Sequence, residues 1–158
     1  MKLKRVLGAL GAIILCQMAG VIGSLFTYKN IATWYVNLNK PFFNPPNWVF
    51  GPVWITLYAM MGVAFYLVWE KRKKAKAAMR GVVFFLAQLA LNALWSIMFF
   101  GMKSPLLGLV TIAPLWALIL ASTYYFYKVS KPAAYLMVPY ILWTSFAMVL
   151  NFFIWMLN

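Results

Sequence analysis

Apolar positions fall into five long runs, at about 6–28, 48–69, 81–102, 105–127 and 133–157, separated by short polar stretches. About 20 apolar residues in a helix cross the roughly 30 Å hydrocarbon layer of a bilayer. The pattern therefore predicts an all-α membrane protein, a five-transmembrane-helix bundle, in a single domain over 1–158. The first run exceeds the usual apolar core of a signal peptide and lacks a small-residue cleavage pattern, so it reads as a retained helix. The loop at 29–47 carries Pro41, Pro45 and Pro46 among aromatic residues. Prolines fix φ and bias the preceding residues toward extended backbone, which predicts a stiff lid over the bundle rather than a floppy connection.

Helical spacing assigns faces within the runs, because residues three, four and seven apart share a side. One face of the second helix carries Trp54, Tyr58, Met61 and Phe65. The third carries Gln88, Asn92, Trp95 and Phe99, and the fifth Tyr140, Trp143, Thr144, Ala147 and Asn151. Amides are costly against lipid, so these faces are expected to turn inward. Two roles are open to them: amides joining helices with interfacial aromatics, or the wall of a pocket for a planar, largely apolar ligand with a few polar edges. Small residues Ala19, Gly20, Gly23 and Ser24 on the first helix allow a close helix neighbour. The alanines 87, 90 and 93, and 113, 117 and 121, read as packing or dimer surfaces.

Composition narrows the chemistry. The chain is 66% hydrophobic and 9% charged, with no histidine, one carboxylate side chain (Glu70) and one cysteine (Cys16). Ser-His-Asp triads, paired-carboxylate hydrolysis, histidine zinc sites and disulfides are thereby excluded, so no metal site and no required cofactor are expected. No nucleotide-binding glycine motif occurs, and no lysine lies within a span to form a Schiff base. The formal charge of +13 does not indicate nucleic acid, because the bases sit between the apolar runs. Eleven of them fall on one side, in 1–5, in 70–80 and at Lys128 and Lys131; Lys29, Lys40 and Lys103 fall on the other. The positive-inside rule predicts an inside N-terminus and an outside lid and C-terminus, with 70–80 touching anionic membrane lipid.

The run Trp34-Tyr35, Leu38-Asn39-Lys40-Pro41, Asn44-Pro45-Pro46, Trp48-Val49-Phe50-Gly51-Pro52-Val53-Trp54 and Leu57-Tyr58 resembles the first loop and second helix of the TspO family. That family comprises the tryptophan-rich sensory proteins and the mitochondrial translocator protein, or peripheral benzodiazepine receptor. Ala87-Gln88-Leu89-Ala90-Leu91-Asn92, Trp95 and Phe99-Phe100-Gly101 resemble its third helix. Val138-Pro139-Tyr140-Ile141-Leu142-Trp143, Phe146-Ala147 and Leu150-Asn151 resemble its fifth.

The resemblance implies a homodimer, in a bacterial cell membrane, with a cavity beneath the first loop. It also implies binding of protoporphyrin IX or haem, of isoquinoline and benzodiazepine compounds, and roles in sensing, transporting or degrading tetrapyrroles in light. Carried over motif by motif, ligand contacts would be Tyr35, Trp54, Tyr58, Gln88, Asn92, Trp95, Tyr140, Trp143, Ala147 and Asn151. In light-driven oxidation, with porphyrin as substrate, Trp54 and Trp143 would be the catalytic indoles. The family's sterol motif would fall at 150–156, where Phe152 and Met156 replace its tyrosine and basic residue. The alternative is a lipid- or sterol-binding protein without catalysis.

Overall fold

A computed structural model describes residues 2–73 and 75–158, Lys2 by its backbone alone. Five long helices carry the chain: α1 (Lys2–Thr33), α2 (Asn47–Trp69), α3 (Lys76–Ser96), α4 (Pro105–Val129) and α5 (Lys131–Leu157). A 3-10 turn at Tyr35–Asn37 follows α1, and a π-turn at Ile97–Gly101 ends α3. All five helices are long and apolar enough to cross a membrane, and most of each apolar surface faces outward, as lipid contact requires. This is an integral multi-pass membrane protein. Of the bases counted from the sequence, Lys74 and the side chain of Lys2 lie outside the described residues.

The helices close a ring in which α1 packs on α2 and α3, α3 on α4, α4 on α5, and α5 back on α2. Residues 29–33, expected in the lid, continue α1, so the loop shortens to 34–46; α3 starts five residues earlier than the 81 expected. Ser104 caps α4 by accepting from the Leu107 N–H at 3.2 Å, with Pro105 in the first turn. Just before it, Lys103 takes a left-handed φ of 52° to turn the chain between α3 and α4.

Glycines set how closely α1 approaches its neighbours. A Cβ at Gly62 of α2 would lie 2.5 Å from Ile13 Cα, so this glycine is where the two backbones cross. On either side of that crossing α1 and α2 diverge. Toward the basic end, Trp69, Phe65, Phe85 and Phe126 form a continuous ring stack with centroid steps of 5.7, 4.9 and 5.5 Å. Toward the lid the interior is hollow.

Candidate functional site

The hollow is a cavity of about 830 Å³. That is within the size range of small-molecule and cofactor sites. α1 contributes a wall of small and polar residues, including Gln17, Gly20, Gly23, Ser24 and Thr27. Tyr35 closes the lid side. Phe50 and Trp54 come from α2, Trp95, Phe99 and Phe100 from the end of α3, and Ala147, Leu150, Asn151 and Ile154 from α5. Between α1 and α2 the cavity reaches the lipid-facing surface, where Val21 and Ile55 are half or more exposed and a Cβ at Gly51 would meet open space. The Gln17 amide donates to the Ile55 carbonyl at 2.9 Å across the bottom of this gap.

The lid is held by polar bonds that its sequence does not advertise. Lys40 Nζ donates to the carbonyls of Tyr35, Val36 and Leu38 at 2.8, 3.1 and 2.7 Å. All three ammonium protons are thereby used on carbonyls of the 3-10 turn and its C-cap, that of Tyr35 also accepting from the Leu38 N–H at 3.3 Å. Partial burial pulls the Lys40 pKa downward. The Tyr35 hydroxyl donates to Asn44 Oδ1 at 2.6 Å, and burial pushes its pKa up. Asn39 and Asn158 bond reciprocally, the Asn39 N–H to Asn158 Oδ1 and Asn158 Nδ2 to the Asn39 carbonyl, each at 3.0 Å. The loop is thus tied to the end of α5.

A buried polar chain forms the floor. The Tyr58 hydroxyl donates to Asn92 Oδ1, Asn92 Nδ2 donates to the Tyr140 hydroxyl at 2.9 Å, and that hydroxyl donates to Gln88 Oε1 at 2.8 Å. All four residues are buried. A second link lies nearer the lid: Trp95 Nε1 donates to Asn151 Oδ1 at 3.2 Å, and Asn151 Nδ2 to the Pro105 carbonyl at 2.7 Å. It joins α3, α4 and α5.

The residues singled out from sequence therefore divide. Tyr35, Trp54, Tyr58, Trp95, Ala147 and Asn151 line the cavity. Gln88, Asn92 and Tyr140 are one layer deeper, in the floor chain, and reach the cavity through Tyr58 and through Trp54, whose ring centroid is 6.2 Å from that of Tyr140. Trp143 packs against Phe50, ring centroids 6.0 Å apart, and Phe146, so Phe50 stands where a wall indole was expected. The buried Gln88 Nε2 and Trp143 Nε1 find no hydrogen-bond partner among the described residues. The sequence reading missed the α1 wall, whose small residues signal only close packing, and the π-turn. That turn bonds the Met102 N–H to the Ile97 carbonyl at 2.8 Å and brings both Phe99 and Phe100 inside. Phe50 carried a signal, as an aromatic four residues before Trp54 on the face traced through Trp54 and Tyr58.

Comparison with known proteins bears on the whole chain. The model of the TspO/MBR family matches residues 12–156. The chain is 48% identical over 155 residues to a tryptophan-rich protein TspO of Chlorobaculum tepidum, covering 98% of each. It is 42% identical over 153 residues to a protein of the same name from Archaeoglobus fulgidus, covering 97% of this chain and 98% of that one. To the human translocator protein it is 36% identical over 148 residues, covering 93% and 88%. With the family model and these relatives spanning all five helices and the lid, the chain belongs to the TspO/MBR family.

Proposed function

We propose that the protein binds a flat tetrapyrrole of the porphyrin class, such as protoporphyrin IX or haem, in the cavity beneath the lid. The observation that carries this reading is the cavity itself. It is large and walled by the faces of Trp54, Trp95, Phe50, Phe99 and Phe100, with Tyr35, Asn151, Gln17 and Ser24 as isolated polar points. Apolar walls with a few convergent polar groups suit a planar ring system bearing polar edges. The opening between α1 and α2 suits a ligand that arrives dissolved in the membrane. A sterol or other lipid is the competing occupant, since Leu150 and Ile154 of the 150–156 segment also line the wall.

Titration of the purified protein with protoporphyrin IX, followed by fluorescence quenching, tests the reading. Saturable binding that Ala147→Trp abolishes supports it, because the new indole occupies the cavity. Absence of saturable quenching, with a sterol analogue binding instead, overturns it. For light-driven porphyrin loss, of the two indoles carried over from the family Trp54 lines the cavity and Trp143 stands behind Phe50. Trp54→Phe should then slow bleaching under illumination far more than Trp143→Phe does. The same reading places the basic end inside a bacterial cell, so protease should reach a tag after Asn158 but not one in 70–80. It also makes the protein a homodimer through Ala87, Ala90 and Ala93, and a phenylalanine at these positions should shift the solubilised protein toward monomer.

A further inference from the structure

Below the Gly62 crossing, α1 and α2 separate a second time. The gap there is a groove of about 390 Å³ whose lining includes Gly8, Gly11 and Leu15 of α1, Trp69 of α2, and Glu70 and Arg72 just beyond. The two glycines differ in what they meet. A Cβ at Gly8 would lie 2.5 Å from the Tyr66 ring, so Gly8 is already packed; at Gly11 a Cβ would meet nothing within 4 Å. From Gly8 to Leu15 the helical rise gives the groove a length of about 10 Å. Its floor is apolar and it opens toward lipid.

The mouth of the groove is cationic. The Arg72 guanidinium lies 4.1 Å from the Trp69 ring centroid and donates to the Trp69 carbonyl at 2.8 Å, which holds its planar fork at the groove's edge. Arg5 Nε pairs with Glu70 Oε1 at 3.3 Å, and the same oxygen accepts from the Tyr66 hydroxyl at 2.9 Å. Glu70, the chain's one carboxylate side chain, also lines the groove, but its charge is paired with Arg5 and leaves Arg72 unbalanced. An occupant must therefore be apolar below and negative above.

We propose that this groove is a binding site for one anionic diacyl phospholipid, with an acyl chain along Gly11 and Leu15 and the phosphate at Arg72. A guanidinium fork matches phosphate geometry, and stacking on Trp69 leaves its outer N–H groups directed at the headgroup level. The site goes beyond general attraction of a basic segment to the membrane, because it has a shaped tail groove and a named headgroup residue. It rests on the membrane placement of the helices and not on the tetrapyrrole reading.

Native mass spectrometry of the delipidated protein tests it, with dioleoylphosphatidylglycerol and dioleoylphosphatidylcholine offered in equal amounts. The parental protein should retain one phosphatidylglycerol with a preference of about fivefold. Arg72→Gln should bring that preference close to unity while phosphatidylcholine retention stays. Gly11→Leu fills the groove in open space and should lower retention of both lipids, with the thermal midpoint confirming the fold. Lys128→Gln, a base beyond the groove's lining, should leave the preference intact. Three results would each overturn the site: no preference in the parental protein, unchanged retention in Gly11→Leu, or Lys128→Gln acting as strongly as Arg72→Gln. The last would mean diffuse surface charge instead.

Discussion

The two ends of the bundle use the same residue types for opposite purposes. At the basic end Trp69, Phe65, Phe85 and Phe126 lie nearly parallel, with interplanar angles of 26°, 27° and 19°, and leave no room between them. At the lid end the geometry is mixed: Tyr35 meets Phe50 at 87°, Trp34 meets Phe100 at 85° and Phe50 meets Trp143 at 68°, while Trp54 stacks on Tyr58 at 29° and Trp95 on Phe99 at 22°. Both stacked pairs there line the cavity of about 830 Å³ and do not fill it. Aromatic content alone therefore does not make a binding site. Which helices the stacked rings bridge decides it: at the basic end the stack runs from α2 through α3 to α4, whereas at the lid end each stacked pair stays on one helix or its end.

Between the ends lies the floor chain of Tyr58, Asn92, Tyr140 and Gln88. Buried polar groups have few alternative partners in a membrane interior, so the chain fixes the relative depth of α2, α3 and α5. It also separates the packed half from the hollow one. If this division is right, substitutions should affect stability and binding differently according to which half they touch.

The largest stability effect is expected at Phe85→Ala in the ring stack. Phe85 is fully buried between two other rings, so its loss should cost about 4 kcal/mol, read as a fall in the thermal midpoint of the detergent-solubilised protein. Trp54→Ala, which enlarges an existing cavity, should cost about half as much by the same measurement while weakening porphyrin binding far more. Equal stability losses would mean that the lid end is as tightly packed as the other.

Next comes the floor. Tyr140→Phe leaves Gln88 Oε1 and Asn92 Nδ2 without their shared partner, a loss of about 2 kcal/mol, with porphyrin affinity nearly unchanged because Tyr140 does not line the cavity. Tyr58→Phe breaks the same chain from the cavity side and should lower both. A Tyr140→Phe variant that binds porphyrin tenfold more weakly would show that the floor belongs to the binding wall.

A smaller contrast separates two tryptophans. Trp95→Phe removes the bond to Asn151 and should cost about 1 kcal/mol. Trp143→Phe removes an N–H that has no partner among the described residues, so its midpoint should move by less than about 1 kcal/mol. The smallest expected change is a gain. Lys103→Gly relieves a left-handed backbone and should stabilise by about 0.5–1 kcal/mol without altering ligand binding.

Sequence alone determined the five spans, because crossing a bilayer demands long apolar helices and the runs are too long and too apolar for anything else. It also determined which azimuth of α2, α3 and α5 turns inward: Gln88, Asn92, Tyr140 and Asn151 are all buried. Periodicity carries this because a lipid-facing amide is penalised wherever its helix stands. Depth is another matter. Asn92 and Asn151 share the amide signal, yet Asn92 holds the floor and Asn151 the wall, and only the register between helices decides which. Trp54 and Trp143 likewise share an indole and an inward face, but Phe50 comes between Trp143 and the cavity. The cavity itself is a difference between helix separations. Gly62 lets the α1 and α2 backbones meet, while at Gly8 and Gly20 the Tyr66 and Tyr58 rings stand between the helices, and a separation between two helices is written in neither helix alone.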